Sequence, residues 1–296
     1  MQRDFIGYGE HPPRANWPHK ARIALNFVLN YEEGAERNVL DGDDQSENYL
    51  TDLITDPIKG GRHLSIESLF EYGSRAGVWR LMRLFEEFSI PITVFAAGLA
   101  LERNPEFALK LKQSPHEIAG HGYRWINYRE ISKEIEKEHI SRTIATIQNL
   151  TDKKVIGWYT GRKSPNTRKL IVEAGLHYDS DNYADDLPYW DKTSKTPHLI
   201  IPYCLDTNDA RYTMSPGWTS GEDFFLYLKG SFDQLYREGK DSPKMMSIGL
   251  HPRISGRPGR TDALRRFIDY INTFKNVWIC RRADIAEHWY KENAEQ

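Results

Sequence analysis

Five short segments place ionisable side chains beside turn-forming residues. They are Tyr31-Glu32-Glu33-Gly34, His121-Gly122 with Trp125 just beyond, Gly161-Arg162-Lys163, the run from Tyr178 to Asn182 with Asp179 and Asp181, and Leu250-His251-Pro252. A carboxylate pair and two histidines are the parts of general acid–base hydrolysis, in which one group takes a proton from water and another protonates a leaving atom. Adjacent glutamates on an extended strand point to opposite faces, so Glu32 and Glu33 converge only if the chain has already turned, as Gly34 permits. One is then the base and the other its orienting partner. His251, held by Pro252, is the acid or base of the second half. A lone histidine is more often structural, and only its company marks His121. Arg162 either holds a carboxylate or sits ahead of a helix starting at Pro165 with Ser164 as its cap.

One helical turn past His121, where a second histidine would complete a metal-ligand pair, stands Trp125. An indole nitrogen is only a donor. A catalytic zinc usually keeps three protein ligands at about 2.0–2.2 Å, and His121 with Glu33 falls one short. The expectation is therefore no metal and no other cofactor, with Trp125 offering a flat apolar wall and one N–H to a planar heterocycle. Plain core packing is its alternative role.

These groups need a scaffold. Short β-branched or aromatic runs at 22–30, 92–97, 155–160, 245–250 and 277–281 predict buried strands, and helical periodicity appears at 77–88, 130–150 and 262–274. Strand and helix alternate from residue 22 onward, which predicts an α/β fold, a (β/α) barrel in a single domain over 1–296 with an N-terminal extension at 1–20. Polar residues at the C-terminal ends of barrel strands face the mouth, which is where the five segments fall. Two stretches leave the alternation, 34–75 and 182–220, and long irregular segments of this kind are lids or oligomer contacts. As a lid, 34–75 brings Arg75 to the substrate; the competing role for Arg75 is a surface pair with Glu71.

With 40 basic against 42 acidic residues and a net charge of -2, bulk electrostatics favours neither nucleic acid nor an anionic membrane. A small polar substrate fits better. The N-terminus is polar and proline-rich and no run is apolar enough to span a bilayer, which predicts a cytoplasmic protein. Cys204 and Cys280, far apart in sequence, read as free buried thiols.

In this order the segments resemble the NodB-type polysaccharide deacetylases, which are distorted (β/α) barrels. The resemblance implies Glu32 as base, Glu33 and His121 at metal-ligand positions, Arg162 orienting the base and His251 as acid. Two departures stand out: glutamates replace the family's aspartate pair, and Trp125 replaces a histidine. Both departures are similar to a narrower group, the PuuE-type allantoinases, as are "FVLNYEEG", "SIESLFEYGSRAGVWRL", "HGYRWINY", "GWYTGR", "YDSD", "PHLIIPYCLDTND" and "SIGLHPR". That likeness spans nearly the whole chain. It implies metal-independent opening of the hydantoin ring of allantoin to allantoate by a homo-oligomer, a tetramer. Candidate substrate contacts are Tyr31, Arg75, Trp125, Asp179, Asp181, Asn208 and Asp209. Competing expectations are hydrolysis of another cyclic imide, metal-dependent deacetylation of an amino-sugar polymer, and a non-catalytic barrel.

Overall fold

Every residue from Ile23 to Tyr31 is buried, which requires packing on both faces of that strand. The computed structural model, which describes residues 3–192 and 196–294, shows how this is met. The strands are β1 (Ile23–Tyr31), β2 (Thr93–Ala96), β3 (Glu117–Gly120), β4 (Gly157–Trp158), β5 (Tyr178–Asp179), β6 (Tyr189–Asp191), β7 (His198–Ile200), β8 (Lys244–Leu250) and β9 (Val277–Ile279). They form one sheet in the order β6-β7-β5-β4-β3-β2-β1-β8, with β9 also on β1. All neighbours are parallel except β6 and β7.

The helices are α1 (Leu64–Tyr72), α2 (Val78–Glu87), α3 (Gly98–Arg103), α4 (Pro105–Lys112), α5 (Lys133–Thr151), α6 (Thr167–Glu173), α7 (Gly221–Glu238), α8 (Pro252–Ser255), α9 (Pro258–Ile271) and α10 (Arg282–Glu292). The five expected strands and three expected helices are present. Strands β3, β5, β6 and β7 match no expected run; each includes an ionisable residue, Glu117, Asp179, Asp191 or His198, where the expected strands lie in apolar runs. The helix expected at Pro165 with Ser164 as its cap begins instead at Thr167; the Ser164 hydroxyl donates to Glu136 at 2.5 Å and accepts the Asn166 N–H at 2.9 Å ahead of it.

Alternation along β1 sorts its side chains. Ile23, Leu25, Phe27, Leu29 and Tyr31 join the large core under the helices. Val28 faces Phe95, Ala119, Tyr159 and Tyr203 in a separate inner cluster, and Asn30 donates inward to the Tyr203 hydroxyl at 3.0 Å. The sheet is a curled half-barrel, and its seam is closed by irregular chain. Met245 N–H donates to the Asp186 carbonyl at 3.1 Å, Thr207 Oγ1 to the Ser247 carbonyl at 2.6 Å, and Asn208 bridges Gly249. Much of 182–220 thus completes the barrel wall where a lid was expected. Residues 34–63 do lie over the mouth, and α1 follows them.

Cys280 is buried and Cys204 partly so, both free. Among the described residues no helix is long and apolar enough to cross a membrane.

Candidate functional site

β1 delivers Glu32 by parity, since Glu32 follows Asn30 on the inner face. Glu33 should then point away, but the chain turns at once: Ala35 N–H donates to the Glu32 carbonyl at 2.8 Å and Gly34 takes φ +92°. Both carboxylates therefore reach one guanidinium, that of Arg253 in α8. Arg253 Nη2 donates to Glu32 Oε2 at 2.7 Å and Nη1 to Glu33 Oε1 at 3.2 Å. Glu33 also accepts the Glu32 N–H at 3.1 Å and the Arg253 N–H at 3.3 Å. Behind it lies the π-helical turn Gly73–Gly77 between α1 and α2, where a Cβ on Gly73 would stand 2.5 Å from Glu33 Oε1.

The other oxygen of Glu32 lies between two imidazoles, 2.9 Å from His121 Nε2 and 3.6 Å from His251 Nε2. His121 follows β3; its Nδ1 faces the Tyr159 carbonyl at 2.6 Å, which fixes Nδ1 as the donor, and Tyr159 stacks on its ring at 5.3 Å. One proton must then lie between His121 Nε2 and Glu32 Oε1, because two lone pairs cannot face each other at that distance. His251 follows β8 and caps α8. Its Nδ1 is 2.6 Å from Asp209 Oδ1, while Asp209 Oδ2 accepts the N–H groups of His251 at 2.7 Å and Ser255 at 3.2 Å.

Glu32, Glu33, His121, His251 and Arg253 are all at least 96 % buried, so their charges are strongly coupled. Burial alone would raise the Glu32 carboxyl, but Arg253 and then His251 outweigh it and hold Glu32 well below the usual carboxylate range. Glu33 is shifted the other way, by burial and by repulsion from Glu32, with Arg253 only partly opposing. Burial would lower His251; Asp209 first and Glu32 second carry it up to about 9. A carboxylate kept ionised beside an imidazolium is a base next to an acid.

The irregular 34–63 segment roofs the site. Arg253 Nε donates to the Leu50 carbonyl at 2.9 Å. Tyr49 stacks on Trp125 at 6.2 Å, and the Arg162 guanidinium lies 3.8 Å over the Trp125 ring while pairing with Glu47 at 3.0 Å. Trp125 is thus a wall beside Arg253, as well as part of the core.

Several expected contacts fall elsewhere. Arg162 holds Glu47 in the roof, and the arginine on Glu32 is Arg253. Tyr31, on the outer face of β1, bonds Ser74 at 3.0 Å and Asn104 at 2.9 Å. Asp179 is held by Arg168 at 2.8 Å. Asp181 spends both oxygens on the N–H groups of Thr160 and Gly161, each at 2.8 Å. Asn208 braces the Tyr203 hydroxyl at 3.2 Å, and Asp209 serves His251. Arg75 is 80 % exposed, 3.9 Å from Glu71, on the solvent side of the π-helical turn whose Gly73 faces Glu33. Sequence reasoning missed Arg253, though it ends the "GLHPR" segment and lies one strand end from the glutamates. Glu47 and Tyr49 carried no signal, being in a segment without periodicity.

The resemblance to deacetylases implies a divalent metal, and the residues here do not fit one. Among the described residues no three His, Cys, Asp or Glu side chains gather as a ligand set. Trp125 has no lone pair to offer, and a guanidinium already bridges the carboxylates.

Comparison with known proteins places these features. Residues 61–178 match the Polysaccharide deacetylase family model. A Schizosaccharomyces pombe protein named for the same family is 42 % identical over 308 residues, covering 97 % of this chain and 96 % of its own. A Pseudomonas aeruginosa crystal structure also named for it is 54 % identical, covers 100 % of both chains and superposes with a TM-score of 0.98. The crystal structure of PuuE allantoinase is 52 % identical, covers 100 % of this chain and 99 % of that one, and has a TM-score of 0.98.

Proposed function

Because the chain belongs to the polysaccharide deacetylase family, a family of hydrolases, we propose that it is a hydrolase of cyclic amides that opens the hydantoin ring of allantoin to allantoate without a metal. The carrying observation is the buried cluster in which one guanidinium joins Glu32 and Glu33 while Glu32 lies between two imidazoles. The full-length likeness to PuuE allantoinase supports the choice of ring. The roof of Glu47, Tyr49 and Leu50 suits a small substrate, since a polymer needs a groove open at both ends and a small polar ring gains from exclusion of water.

In this reading the Glu32–His121 contact opens to admit water and the ring. Glu32 takes a proton as the water oxygen bonds to the ring carbonyl carbon. The tetrahedral adduct then breaks its C–N bond as His251 Nε2–H protonates the departing nitrogen. The proton on Glu32 returns to His251 across the 3.6 Å between them, and the new carboxylic acid releases one proton to solvent. General acid–base catalysis contributes about 10²–10⁴-fold, and holding water and ring in place adds more. The imide is already an activated carbonyl. The same reading carries a cytoplasmic homo-oligomer, a tetramer.

The test is turnover after exhaustive chelation. Allantoin hydrolysis that persists in chelator supports the reading. Hydrolysis lost to chelator and restored by zinc defeats it, as does chelator-sensitive removal of acetyl groups from an amino-sugar polymer with no action on allantoin.

A further inference from the structure

Glu32, His121 and His251 are buried beneath the roof, so neither a ring nor the attacking water reaches them unless part of the chain moves. Phe95, Tyr159 and Tyr203 fill the barrel interior, with Arg282 5.6 Å from the Tyr203 ring; entry therefore falls to the roof. Its two halves differ in construction. Residues 35–44 are tied down: Trp125 N–H donates to the Ala35 carbonyl at 2.8 Å, Arg124 Nη2 to the Glu36 carbonyl at 3.0 Å, and Asp41 pairs with Arg103. Residues 47–57 form a loop pinched at its neck. There Gln45 bridges Lys59, Ser46 N–H donates to the Ile58 carbonyl at 3.0 Å, and Ile58 N–H donates to Ser46 Oγ at 2.8 Å. Beyond the neck the loop is tethered to the barrel by Glu47 on Arg162 at 3.0 Å, Asp52 on Arg260 at 2.6 Å, and the Leu50 carbonyl on Arg253 Nε at 2.9 Å. The Asp52 pair is partly exposed, and such a pair holds weakly. Leu50 itself takes φ +54°, a left-handed backbone that costs energy for a leucine and persists only where the surroundings enforce it. Here they are the bond from Arg253 and the large core that the Leu50 side chain joins.

We infer that residues 47–57 are a flap, hinged at the Gln45–Lys59 neck, that lifts to admit substrate and on closing brings the Leu50 carbonyl to Arg253. The inference deepens the proposed function, which places the reaction at Glu32, and its primary readout does not depend on which ring is hydrolysed. Lifting releases the Leu50 backbone from its strained conformation, which offsets part of the loss of the tethers, so the flap opens at a fraction of the cost of unfolding the barrel. Closing does two things at once. It shuts bulk water out, which strengthens every donor and charge around a bound ring. It also gives Arg253 Nε its acceptor, so the guanidinium that holds Glu32 and Glu33 has all of its contacts only beneath a closed flap.

The experiment is the rate of thiol labelling by an aromatic disulfide reagent in a Cys204→Ser background, where buried Cys280 is the remaining native thiol and the clock for global unfolding. Two buried positions of the flap serve as probes, Leu50→Cys and the nearly isosteric Thr51→Cys, so that one reports if the other does not fold. A folded probe should be labelled at least about 100-fold faster than Cys280, because local opening costs less than global unfolding. Adding Asp52→Ala should speed the probe about threefold or more while Cys280 keeps its rate. A probe labelled no faster than Cys280 overturns the inference, and so does an Asp52→Ala chain in which both rates rise together. Hydrolysis gives a second reading. Asp52→Cys with Arg260→Cys, joined by a short reducible cross-linker, should turn over allantoin at least about tenfold more slowly than the same chain after reduction. Turnover unchanged by the cross-link overturns the flap as a gate. Labelling as expected in a chain that does not hydrolyse allantoin with or without the cross-link would leave the flap standing and remove the proposed substrate.

Discussion

Among the described residues two arginines are almost wholly withdrawn from water, Arg253 at the mouth and Arg282 inside the barrel between the middle of β1 and β8 and the chain just past β5 and β7, and their partners differ in kind. Arg282 is 0 % exposed and is satisfied by neutral groups: the Ser180 hydroxyl at 3.0 Å, Asn26 Oδ1 at 2.9 Å, the Ser247 hydroxyl at 2.8 Å and the carbonyls of Pro202 at 2.9 Å and Ile201. Burial accordingly lowers it from the ordinary arginine value. At Arg253 burial acts the same way, but Glu32 and then Glu33 outweigh it and raise it. The first is a fully satisfied polar plug that ties β1, β8 and the seam together. The second belongs to a cluster of like and unlike charges with displaced proton affinities, the arrangement expected where chemistry is done. Burial of a charge thus says little alone; whether its partners can titrate separates scaffold from site.

That contrast can be broken experimentally. Replacing Arg282 by Met should be the most damaging change, because Asn26, Ser180, Ser247 and two carbonyls lose their donor at about 1–3 kcal/mol for each group left unsatisfied. Denaturant unfolding should show most of the stability gone, or no folded protein recovered. A soluble Arg282→Met chain with unchanged unfolding midpoint would mean that water takes over its contacts. At the mouth, Glu32→Gln should leave the fold intact and lower kcat by about 10²–10⁴-fold with KM little altered. If Glu33→Gln did this instead, the base would be the other carboxylate.

The third change sharpens the electrostatics. His251 is useful as an acid only while protonated, and its affinity is raised to about 9, so kcat/KM should hold through neutral pH and fall as pH rises through about 9. Asp209→Asn removes the largest raising influence and should pull that limb down toward the ordinary value near 6.5, costing roughly tenfold or more at pH 8. The sign for stability is the same: a raised histidine stabilises the fold below its unfolded value and loses that contribution as pH rises through about 9. Thermal midpoints followed from pH 6 to 10 should therefore drop more in the wild type than in the variant. The smallest effect belongs to Arg75→Ala, a surface pair, where kcat/KM should stay within twofold and stability within about 0.5 kcal/mol. A tenfold loss would return Arg75 to the substrate.

The strand runs that became β1, β2, β4, β8 and β9 were legible because each is a continuous apolar run between turn residues, and the three helices because their apolar residues recur at helical spacing. Strands β3, β5, β6 and β7 were not, since each carries an ionisable residue, Glu117, Asp179, Asp191 or His198, in place of a continuous apolar run, and α10 mixes Arg, Asp, Glu and His with its apolar face. Parity along β1 is itself informative: counting from the core-facing Phe27 and Leu29 sends Tyr31 outward and Glu32 inward. Asp179 and Asp181 are expected at the substrate from their strand-end segment and from the resemblance carried by "YDSD", and only the contacts of Arg168 and the 160–161 turn show them as struts.

The sequence by itself determined the alternation of five strand runs with three helical ones, the presence of Glu32, Glu33, His121 and His251 beside turn residues, and the absence of a second histidine at Trp125, because periodicity, turn chemistry and residue type are local properties. The tertiary structure alone decided who meets whom. Glu32 and Arg253 are 221 positions apart, Asp209 and His251 are 42, and the 34–63 roof reaches Arg253 through a backbone carbonyl at Leu50. Such contacts depend on the curl of the sheet and the turn at Gly34, which place distant chain ends together in low dielectric. The proton affinities follow from that placement, since each is set by burial and by charges supplied from other strands.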